Sequence, residues 1–467
     1  MAQTQPPSVP GPDDLAYLTA SELSARYGRR ELSPVDVTRR VLARIEQLEP
    51  RLNAFVLADA DRALSAAHAS EDRWQRGAAL GPLDGVPVSI KDLLAARGWP
   101  TRRGSRTIDA SGRWDEDAPA VARLREAGAV LLGKTTTSEF GLKGMGDSPL
   151  TGTTRNPWNT AHTPGGSSAG AVVAVAAGFG AIAIGTDGGG SIRVPSAYTG
   201  VIGLKPTFGR VPASPPGFVG VPPHVGPIAR SVNDLVLALS VISQPDLRDP
   251  WQVPIRNAAE PRELGSLRIG YSVSLGYANV DSEVARAFLE AIDALRDAGA
   301  NVTEASPGFA SPGSIVRRLF AARAAFTVAE LSEAQRAKLD PAILAAAREG
   351  EAQSAVDYLA AESERLVLVQ TMARYHVDFD LLLTPTSATP APTVDFDPAA
   401  PAEGPPRESL AGPFSLTRQP ALSIPCGFTR AGLPIGLQIV GRHHEDALVL
   451  GVAASYERIR PFRAPAL

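Results

Sequence analysis

The sequence predicts an α/β fold, with a mixed or parallel β-sheet covered by helices on both faces. Strand-like and helix-like segments alternate along the 467 residues, and no internal repeat is visible. The hydrophobic fraction of 44% is ordinary for a globular protein with a substantial core. The length is compatible with two or three domains or with one large α/β domain.

The composition excludes several classes of partner. A formal charge of −3 gives no electrostatic reason to expect binding to nucleic acid or to an anionic membrane. Cys426 is the only cysteine, so no intrachain disulfide can form and the chain suits a reducing cytoplasm. The one histidine cluster, His443-His444, has no cysteine near it, so we predict no metal site and no cofactor. Residues 1–14 are Pro-rich and polar and predict a disordered tail, and no membrane span is predicted.

The N-terminal part is predicted to be helical. Thr19-Ala-Ser-Glu22 is a capping-box pattern, and Ser33-Pro34 starts a second helix with a cap followed by proline. A third helix is expected over Asp59–Gly77. These helices precede the first glycine-proline turn, so we expect them to wrap the core.

A short buried strand is predicted within Gly85–Asp92, and it ends in Lys91. An ammonium group at the end of an apolar strand must be paired, reach solvent or lose its proton. The alternative is an ordinary strand end at the surface. A helix over Ala118–Ala127 and a strand over Ala129–Leu132 follow.

Two motifs in the chain match known patterns without the structure those patterns require. Gly128–Thr135 fits the P-loop pattern, but its central Ala-Val-Leu-Leu predicts a strand rather than a phosphate cradle. Gly166–Gly170 fits the nucleophile elbow G-x-S-x-G, but a loop precedes it instead of the required strand. Neither nucleotide binding nor a Ser168 nucleophile is therefore predicted.

The stretch Gly165–Pro195 contains two serine-bearing glycine turns around an apolar run. The run predicts a helix over Ala169–Gly178 and a buried strand over Ala181–Gly185, an arrangement that would bring the two turns beside one pocket.

The remaining chain continues the alternation. The predicted strands are Val201–Lys205, Leu267–Tyr271, Asn301–Glu304, Phe379–Thr384, Ala421–Phe428 and Ile435–Val440. Helices are predicted after Ser231, over Ser282–Ala298, over most of 313–375 and over Glu445–Tyr456. Pro206–Pro227 is predicted to be a long loop, and Pro390–Pro406 an irregular excursion.

The residues left over suggest serine hydrolase chemistry. Consecutive amides at Gly188-Gly189-Gly190 can form an oxyanion hole beside Ser191. A serine nucleophile needs a base, and Lys91, with its pKa lowered by burial, is the candidate. The alternative is a pair of tight turns around a core helix.

The motif G-G-S-S-A-G-A-V-V-A-V-A-A-G, followed by G-T-D-G-G-G-S-I-R-V-P, is similar to the signature of the amidase signature family. Other segments also resemble that family: Gly85–Asp92, Gly133–Phe140, Thr154–Trp158, Gly203–Arg210 and Leu433–Gln438. The resemblance covers most of residues 15–460 and is poorest over about 245–375.

The resemblance implies a single large domain over 15–467, with a mixed, mostly parallel twisted sheet. A helical layer over 15–78 would precede a catalytic core over 79–245, and 313–375 would be a variable section that shapes the substrate pocket. It also implies a triad in which Ser191 is the nucleophile, Ser167 a bridging serine after a cis Gly166–Ser167 peptide, and Lys91 the base. The two serines lie 24 residues apart, as in the family, whereas Ser168 would break that spacing.

Other residues take supporting roles by the same resemblance. Asp187, Arg193 and Ser168 would hold the turns by polar contacts, Leu142 would lie where the backbone faces substrate, and Arg193 could alternatively bind a substrate carboxylate. The family often has threonine in place of Gly188 and glycine in place of Ala169, and neither difference removes a catalytic group.

The resemblance implies an amidase that hydrolyses the C–N bond of a small amide, and possible further substrates are esters and carbamates. Three phenylalanines, Phe218, Phe320 and Phe326, favour a hydrophobic or aryl group on that substrate. We expect a monomer or homodimer acting on a small molecule. The alternatives are the A subunit of a tRNA-dependent amidotransferase and an inactive binding protein.

Overall fold

One large mixed sheet organises the molecule. The computed structural model describes residues 14–215, 224–253, 263–396 and 408–467. The thirteen strands within those ranges are β1 Phe55–Ala58, β2 Pro87–Lys91, β3 Val130–Thr135, β4 Asp147–Ser148, β5 Gly152–Thr153, β6 Ile182–Asp187, β7 Ile202–Lys205, β8 His224–Ala229, β9 Arg268–Tyr271, β10 Asn301–Glu304, β11 Leu381–Pro385, β12 Ala421–Phe428 and β13 Pro434–Gly441. Eleven form the sheet, in the order β1-β3-β2-β6-β8-β7-β12-β13-β11-β9-β10, and β4 pairs only with β5.

Fourteen α-helices lie within the described ranges. They are α1 Ala20–Gly28, α2 Pro34–Leu52, α3 Ala60–Gln75, α4 Pro119–Glu126, α5 Ala169–Ala176, α6 Arg193–Thr199, α7 Val232–Ile242, α8 Ser282–Asp297, α9 Gly313–Val328, α10 Glu333–Arg336, α11 Pro341–Glu351, α12 Ala355–Asp378, α13 Gly412–Leu416 and α14 Asp446–Ile459. Short 3-10 turns occupy Glu139–Gly141 and Leu264–Ser266.

The single α/β domain with one mixed sheet is confirmed, since strands from Phe55 to Gly441 share the same sheet. The parallel share is smaller than predicted: four of the ten neighbouring pairs in the described sheet are parallel and six are antiparallel. Parallel pairs require a crossover, usually a helix. The connection between β12 and β13 is only a few residues long, so these two strands form a hairpin and pair antiparallel.

Helices cover both faces of the sheet, as predicted. In β13, Gly436 and Gly441 point to opposite faces because side chains alternate along a strand. A methyl group on Gly436 would lie 2.5 Å from Ala197 of α6, and one on Gly441 would lie 2.7 Å from Val449 of α14. The two helices therefore pack on opposite sides.

The predicted helix caps at the N-terminus are present. Thr19 and Glu22 form the full capping box of α1, and Ser33 caps α2. Asp59, for which no cap was predicted, caps α3. The helices expected over 313–375 are also present, as α9 to α12.

One sequence prediction of a loop is wrong in part. The sequence predicts an irregular Pro206–Pro227, but His224–Ala229 is strand β8, buried throughout and paired with both β6 and β7. Gly226 and Pro227 disfavour a strand locally. Pairing with β6 and β7 overrides this preference. Glycine fits at 226 because a methyl group there would lie 2.1 Å from the Leu204 carbonyl oxygen of β7.

Three predictions lie wholly or partly outside the described residues. They are the disordered tail up to residue 13, the part of the Pro206–Pro227 loop that contains Phe218, and most of the excursion over 390–406.

Candidate active site

The candidate site lies where two parallel strands end beside a helix. β2 pairs with β6, so Lys91 at the end of β2 lies near Thr186 and Asp187 at the end of β6. The chain enters α5 through Gly166, Ser167 and Ser168. The carboxyl ends of parallel strands are a common place for binding residues.

Lys91 lies at the centre of a buried cluster of hydroxyl groups. Its side chain has no exposed surface, and its Nζ lies 2.7 Å from Ser167 Oγ, 2.8 Å from Ser168 Oγ and 2.9 Å from Thr186 Oγ1. Burial lowers the pKa of Lys91 well below its ordinary value, against the opposing effect of the Asp187 charge. The geometry therefore brings a buried amine with a lowered pKa into direct contact with Ser167.

The first serine turn has the predicted backbone. The peptide bond between Gly166 and Ser167 is cis, as the resemblance implied. Only glycine fits at 166, because a methyl group there would lie 2.2 Å from the Met145 carbonyl oxygen. Ser168 joins the two turns, since its N–H donates to the Ser191 carbonyl oxygen at 3.2 Å.

The second serine turn leaves Ser191 and two of its glycines partly exposed. Gly188, Gly189 and Ser191 are half-buried, and their N–H groups have no hydrogen-bond partner among the described residues. Gly190 differs from the prediction: its N–H donates to Asp187 Oδ1 at 2.7 Å. The predicted oxyanion hole therefore loses Gly190 as a donor, because the buried carboxylate already uses that amide.

Asp187 and Arg193 form a buried ion pair that holds the second serine turn in place. Arg193 is fully buried, and its Nε and Nη2 donate to the Asp187 carboxylate at 2.9 and 3.0 Å. Its other donations go to Ser415 Oγ, the Ala411 carbonyl oxygen and Gln438 Oε1. Burial opposes ionisation of Asp187, but the Arg193 charge and hydrogen bonds outweigh it and hold the carboxyl pKa below its ordinary value.

Arg193 is therefore occupied inside the protein. A guanidinium group has five N–H donors, and all five have protein acceptors here. This arrangement fits the expected structural role and leaves no donor for the alternative, a substrate carboxylate.

Two further segments, around Gly141 and around Phe320, border the serine turns. A methyl group on Gly141 would lie 3.3 Å from Ser167 Oγ, so the turn before Leu142 borders the first serine. Leu142 itself packs in an apolar cluster with Val328 of α9 and Ile343 of α11. Phe320 of α9 lies against Gly189, whereas Phe326 is 67% exposed.

Sequence reasoning missed several residues of this site. Thr186 lies within the signature motif, but nothing in the sequence marks its hydroxyl as a Lys91 contact. His224, whose Nδ1 lies 3.0 Å from the Asp187 carbonyl oxygen, falls in a segment that the sequence predicts to be a loop. Ser415 and Gln438 reach the site only through the packing of α13 and β13.

The segments that match the P-loop and nucleophile-elbow patterns do not have the structures that those patterns require. Gly133 and Lys134 lie within β3, and Lys134 Nζ contacts Asp92 at 3.2 Å and donates to the Leu94 carbonyl oxygen at 2.8 Å. The segment is therefore a strand, as its sequence predicted, and not a phosphate cradle. No strand precedes Ser168 directly in the described chain, and its hydroxyl is engaged with Lys91 and Thr186.

Comparison with known proteins identifies the family. Residues 36–450 match the Amidase family. The acylamidase of Rhodococcus erythropolis is 37% identical over 462 residues, which cover 96% of this chain and 97% of that protein. The chain belongs to the amidase signature family.

Further relatives of this amidase signature chain span the same length. The A subunit of the glutamyl-tRNA(Gln) amidotransferase of Chloroflexus aggregans is 36% identical over 479 residues, covering 96% of this chain and 97% of that protein. The crystal structure of a bacterial aryl acylamidase, an amidase signature enzyme, matches with a TM-score of 0.88 at 30% identity. It covers 96% of this chain and 97% of that one.

The amidase signature chain is a hydrolase of carbon–nitrogen bonds other than peptide bonds. Within the described ranges, none of its helices has the length and apolar character to cross a membrane. The same residues contain no group of three or more His, Cys, Asp or Glu side chains that could hold a metal ion.

Proposed function

We propose that this protein hydrolyses a small hydrophobic or aryl amide through an acyl-enzyme on Ser191, with Ser167 and Lys91 as the proton relay. The observation that carries the proposal is the 2.7 Å separation of Lys91 Nζ and Ser167 Oγ in a buried site next to the Ser191 turn. Esters and carbamates are further candidate substrates, because both present a carbonyl carbon to the same nucleophile.

The relay accounts for every proton. Ser191 Oγ attacks the carbonyl carbon and passes its proton to Ser167, which passes its own to neutral Lys91. The C–N bond then breaks, and the leaving nitrogen receives the proton back through the same groups. Water attacks the resulting ester and transfers a proton into the relay, which returns it to Ser191 as the acid leaves.

The transition state also needs donors for the developing oxyanion. We assign this role to the amides of Gly188, Gly189 and Ser191 rather than to Gly190, whose N–H is held by Asp187. Preorganised amides of this kind contribute about 2.7–4 kcal/mol each in other hydrolases.

The substrate class rests on the relatives and on the pocket residues. The similar proteins from Rhodococcus erythropolis and the aryl acylamidase structure are both acylamidases. Leu142 and Phe320 each pack against an apolar cluster, and Phe320 also lies against Gly189 of the second serine turn. Because the single cysteine is buried and unpaired, we propose that the enzyme works in the cytoplasm. We also propose that it acts as a monomer or homodimer.

A second candidate function is the A subunit of a glutamyl-tRNA(Gln) amidotransferase, which the 36% identity to such a protein favours. The two candidates differ in their need for partners. An amidase acts as the purified chain alone, whereas the amidotransferase component would release ammonia from glutamine and would act with its partner proteins.

The deciding experiment assays the purified chain on anilides, alkyl amides, esters and carbamates by release of amine or alcohol. We expect hydrolysis by the wild type, no hydrolysis by Ser191→Ala, and an acyl adduct on Ser191 by mass spectrometry with a slow ester. The second function would be favoured if glutamine were the only substrate hydrolysed and if this hydrolysis required partner proteins. A fully active Ser191→Ala variant would overturn the mechanism.

Ser168 provides a matched control for the relay. Its hydroxyl lies 2.8 Å from Lys91 Nζ, nearly as close as that of Ser167. Ser167→Ala should lose activity by orders of magnitude, and Ser168→Ala should lose much less. Equal losses would show that Ser167 has no special role.

A further inference from the structure

The ring of Phe320 lies against Gly189 of the second serine turn. A methyl group on Gly189 would lie 3.3 Å from Phe320 Cζ and 3.6 Å from Cε2. Gly189 is two residues before Ser191, and both are half-buried. An aromatic ring therefore lies beside the backbone that precedes the proposed nucleophile.

The packing around Phe320 holds this ring in place. Phe320 packs against an apolar cluster that includes Ile315 and Leu319 of its own helix and Leu416 of α13. Next to it, a methyl group on Gly190 would lie 2.9 Å from Ala411 Cβ. The second serine turn is thus bordered by one aromatic ring and by the side chains of Ala411 and Val194, an apolar lining that suits an aryl group.

We propose that Phe320 determines specificity by contacting a planar aryl group that is bonded to one side of the scissile amide. This inference rests on the proposed function and names one residue that selects the substrate class. Aromatic pairs gain free energy beyond that of burying their area, equivalent to about 2- to 12-fold in an equilibrium constant. A saturated ring of similar size gains only the burial.

Phe326 is the matched control on the same helix. It also lies on α9, but it is 67% exposed and does not belong to the apolar cluster around Phe320. Replacing it changes the same residue type in the same helix without touching the serine turn.

The experiment compares aryl and cyclohexyl substrates in two pairs. Acetanilide against N-cyclohexylacetamide places the ring on the amine side, and benzamide against cyclohexanecarboxamide places it on the acyl side. The ratio of kcat/KM within each pair is measured for the wild type, Phe320→Leu, Phe320→Met and Phe326→Leu. Intrinsic reactivity cancels when one pair is compared across variants.

We expect Phe320→Leu and Phe320→Met to lower the aryl preference about 10-fold in one pair, which also identifies the side that binds the ring. Phe326→Leu should leave both ratios within about two-fold of the wild type. Phe320→Met keeps apolar volume at this position, so it tests the inference even if Phe320→Leu does not fold. Thermal unfolding shows whether each variant is folded.

Two outcomes separate the failure of this inference from that of the proposed function. Ratios that stay unchanged in an active Phe320 variant, or that shift equally in Phe326→Leu, overturn the inference alone. A wild-type enzyme that hydrolyses none of the four amides, or a fully active Ser191→Ala variant, overturns the proposed function and this inference with it.

Discussion

At the scale of single residues, Lys91 determines how activity depends on pH. Its amine must be neutral to accept a proton, and burial lowers its pKa well below 10.5. We expect kcat/KM to rise with pH through one ionisation and to level off well below pH 10.5. Activity that continues to increase up to pH 10.5 would contradict this.

The control for this prediction is Lys91→Arg. A guanidinium cannot give up its proton in a protein, so it keeps a cation but supplies no base. We expect its activity to be lower by at least about 100-fold across the pH range, within the usual contribution of general base catalysis. A substantial activity in Lys91→Arg would argue that a different group accepts the proton.

His224 acts on the second turn through the Asp187 backbone. Burial, together with the Lys205 charge, lowers its pKa well below the ordinary value, so the imidazole is neutral and Nδ1–H donates to the Asp187 carbonyl oxygen at 3.0 Å. Its Nε2 is buried and has no partner among the described residues. One ring nitrogen therefore fixes the strand end from which the turn departs.

Replacement of His224 should change kcat rather than KM. We expect His224→Phe to lower kcat by about 10-fold, the effect of losing one hydrogen bond of roughly 1.4 kcal/mol. His224→Asn places an amide N–H at a similar position and should restore most of the rate. Steady-state kinetics test this, and a His224→Phe variant with wild-type kcat would refute the positioning role.

At the scale of elements, the start of α11 is tied to the turn that borders Ser167. Asp340 caps α11, its Oδ2 lies 2.5 Å from Lys143 Nζ, and its N–H donates to Glu139 Oε2 at 2.6 Å. Gly141 lies between those two partners and next to Ser167. The helical section over 313–375 is thus connected to the candidate site by a half-buried polar contact.

A double-mutant cycle measures this connection. Asp340→Asn keeps a good helix cap and the backbone donor but removes the charge, and Lys143→Met removes the ammonium. We expect a coupling of about 0.5–3 kcal/mol in the free energy of unfolding, measured with urea. Additive effects, within about 0.3 kcal/mol, would mean that the pair contributes little.

At the scale of the whole molecule, Arg193 joins parts of the chain that are far apart in sequence. Its buried guanidinium links Asp187 of β6 to α13 and to Gln438 of β13. These partners lie up to 245 residues away along the chain. The turn before Ser191 therefore depends on the packing of both halves of the sheet.

Loss of Arg193 should destabilise the fold as well as the site. We expect Arg193→Met to lower the free energy of unfolding at pH 7 by about 3–5 kcal/mol, because it leaves Asp187 buried and ionised without its ion-pair partner. Arg193→Lys is the control that keeps the charge and should lose less. Urea unfolding provides the measurement.

The pH dependence of that difference tests its cause. The lowered pKa of Asp187 contributes stability above the ordinary carboxyl pKa, and this contribution is lost as pH falls. Without Arg193, burial raises the carboxyl pKa, so the variant protonates Asp187 first. The gap between the wild type and Arg193→Met should narrow as pH falls from 7 toward about 4, and a constant gap would contradict this account.

Local patterns were sufficient for much of the fold. The caps at Thr19 and Ser33, the strand ending in Lys91 and the helix and strand between the serine turns follow from short-range spacing and composition. Strand β8 was not predictable in this way, because Gly226 and Pro227 disfavour a strand and only pairing with β6 and β7 stabilises one. The hairpin of β12 and β13 likewise made the sheet less parallel than the alternation of elements suggested.

The sequence by itself determined three parts of the candidate site: the two serine turns, their spacing of 24 residues and a lysine at a strand end. Only the tertiary structure decided how they meet. It brings Lys91 to Ser167 across 76 residues, turns the Gly190 amide toward Asp187, and separates Phe320 from Phe326. The physical reason is that residue types and spacings are local properties, whereas burial, the direction of an amide and the partner of a charge depend on segments that are distant in the chain.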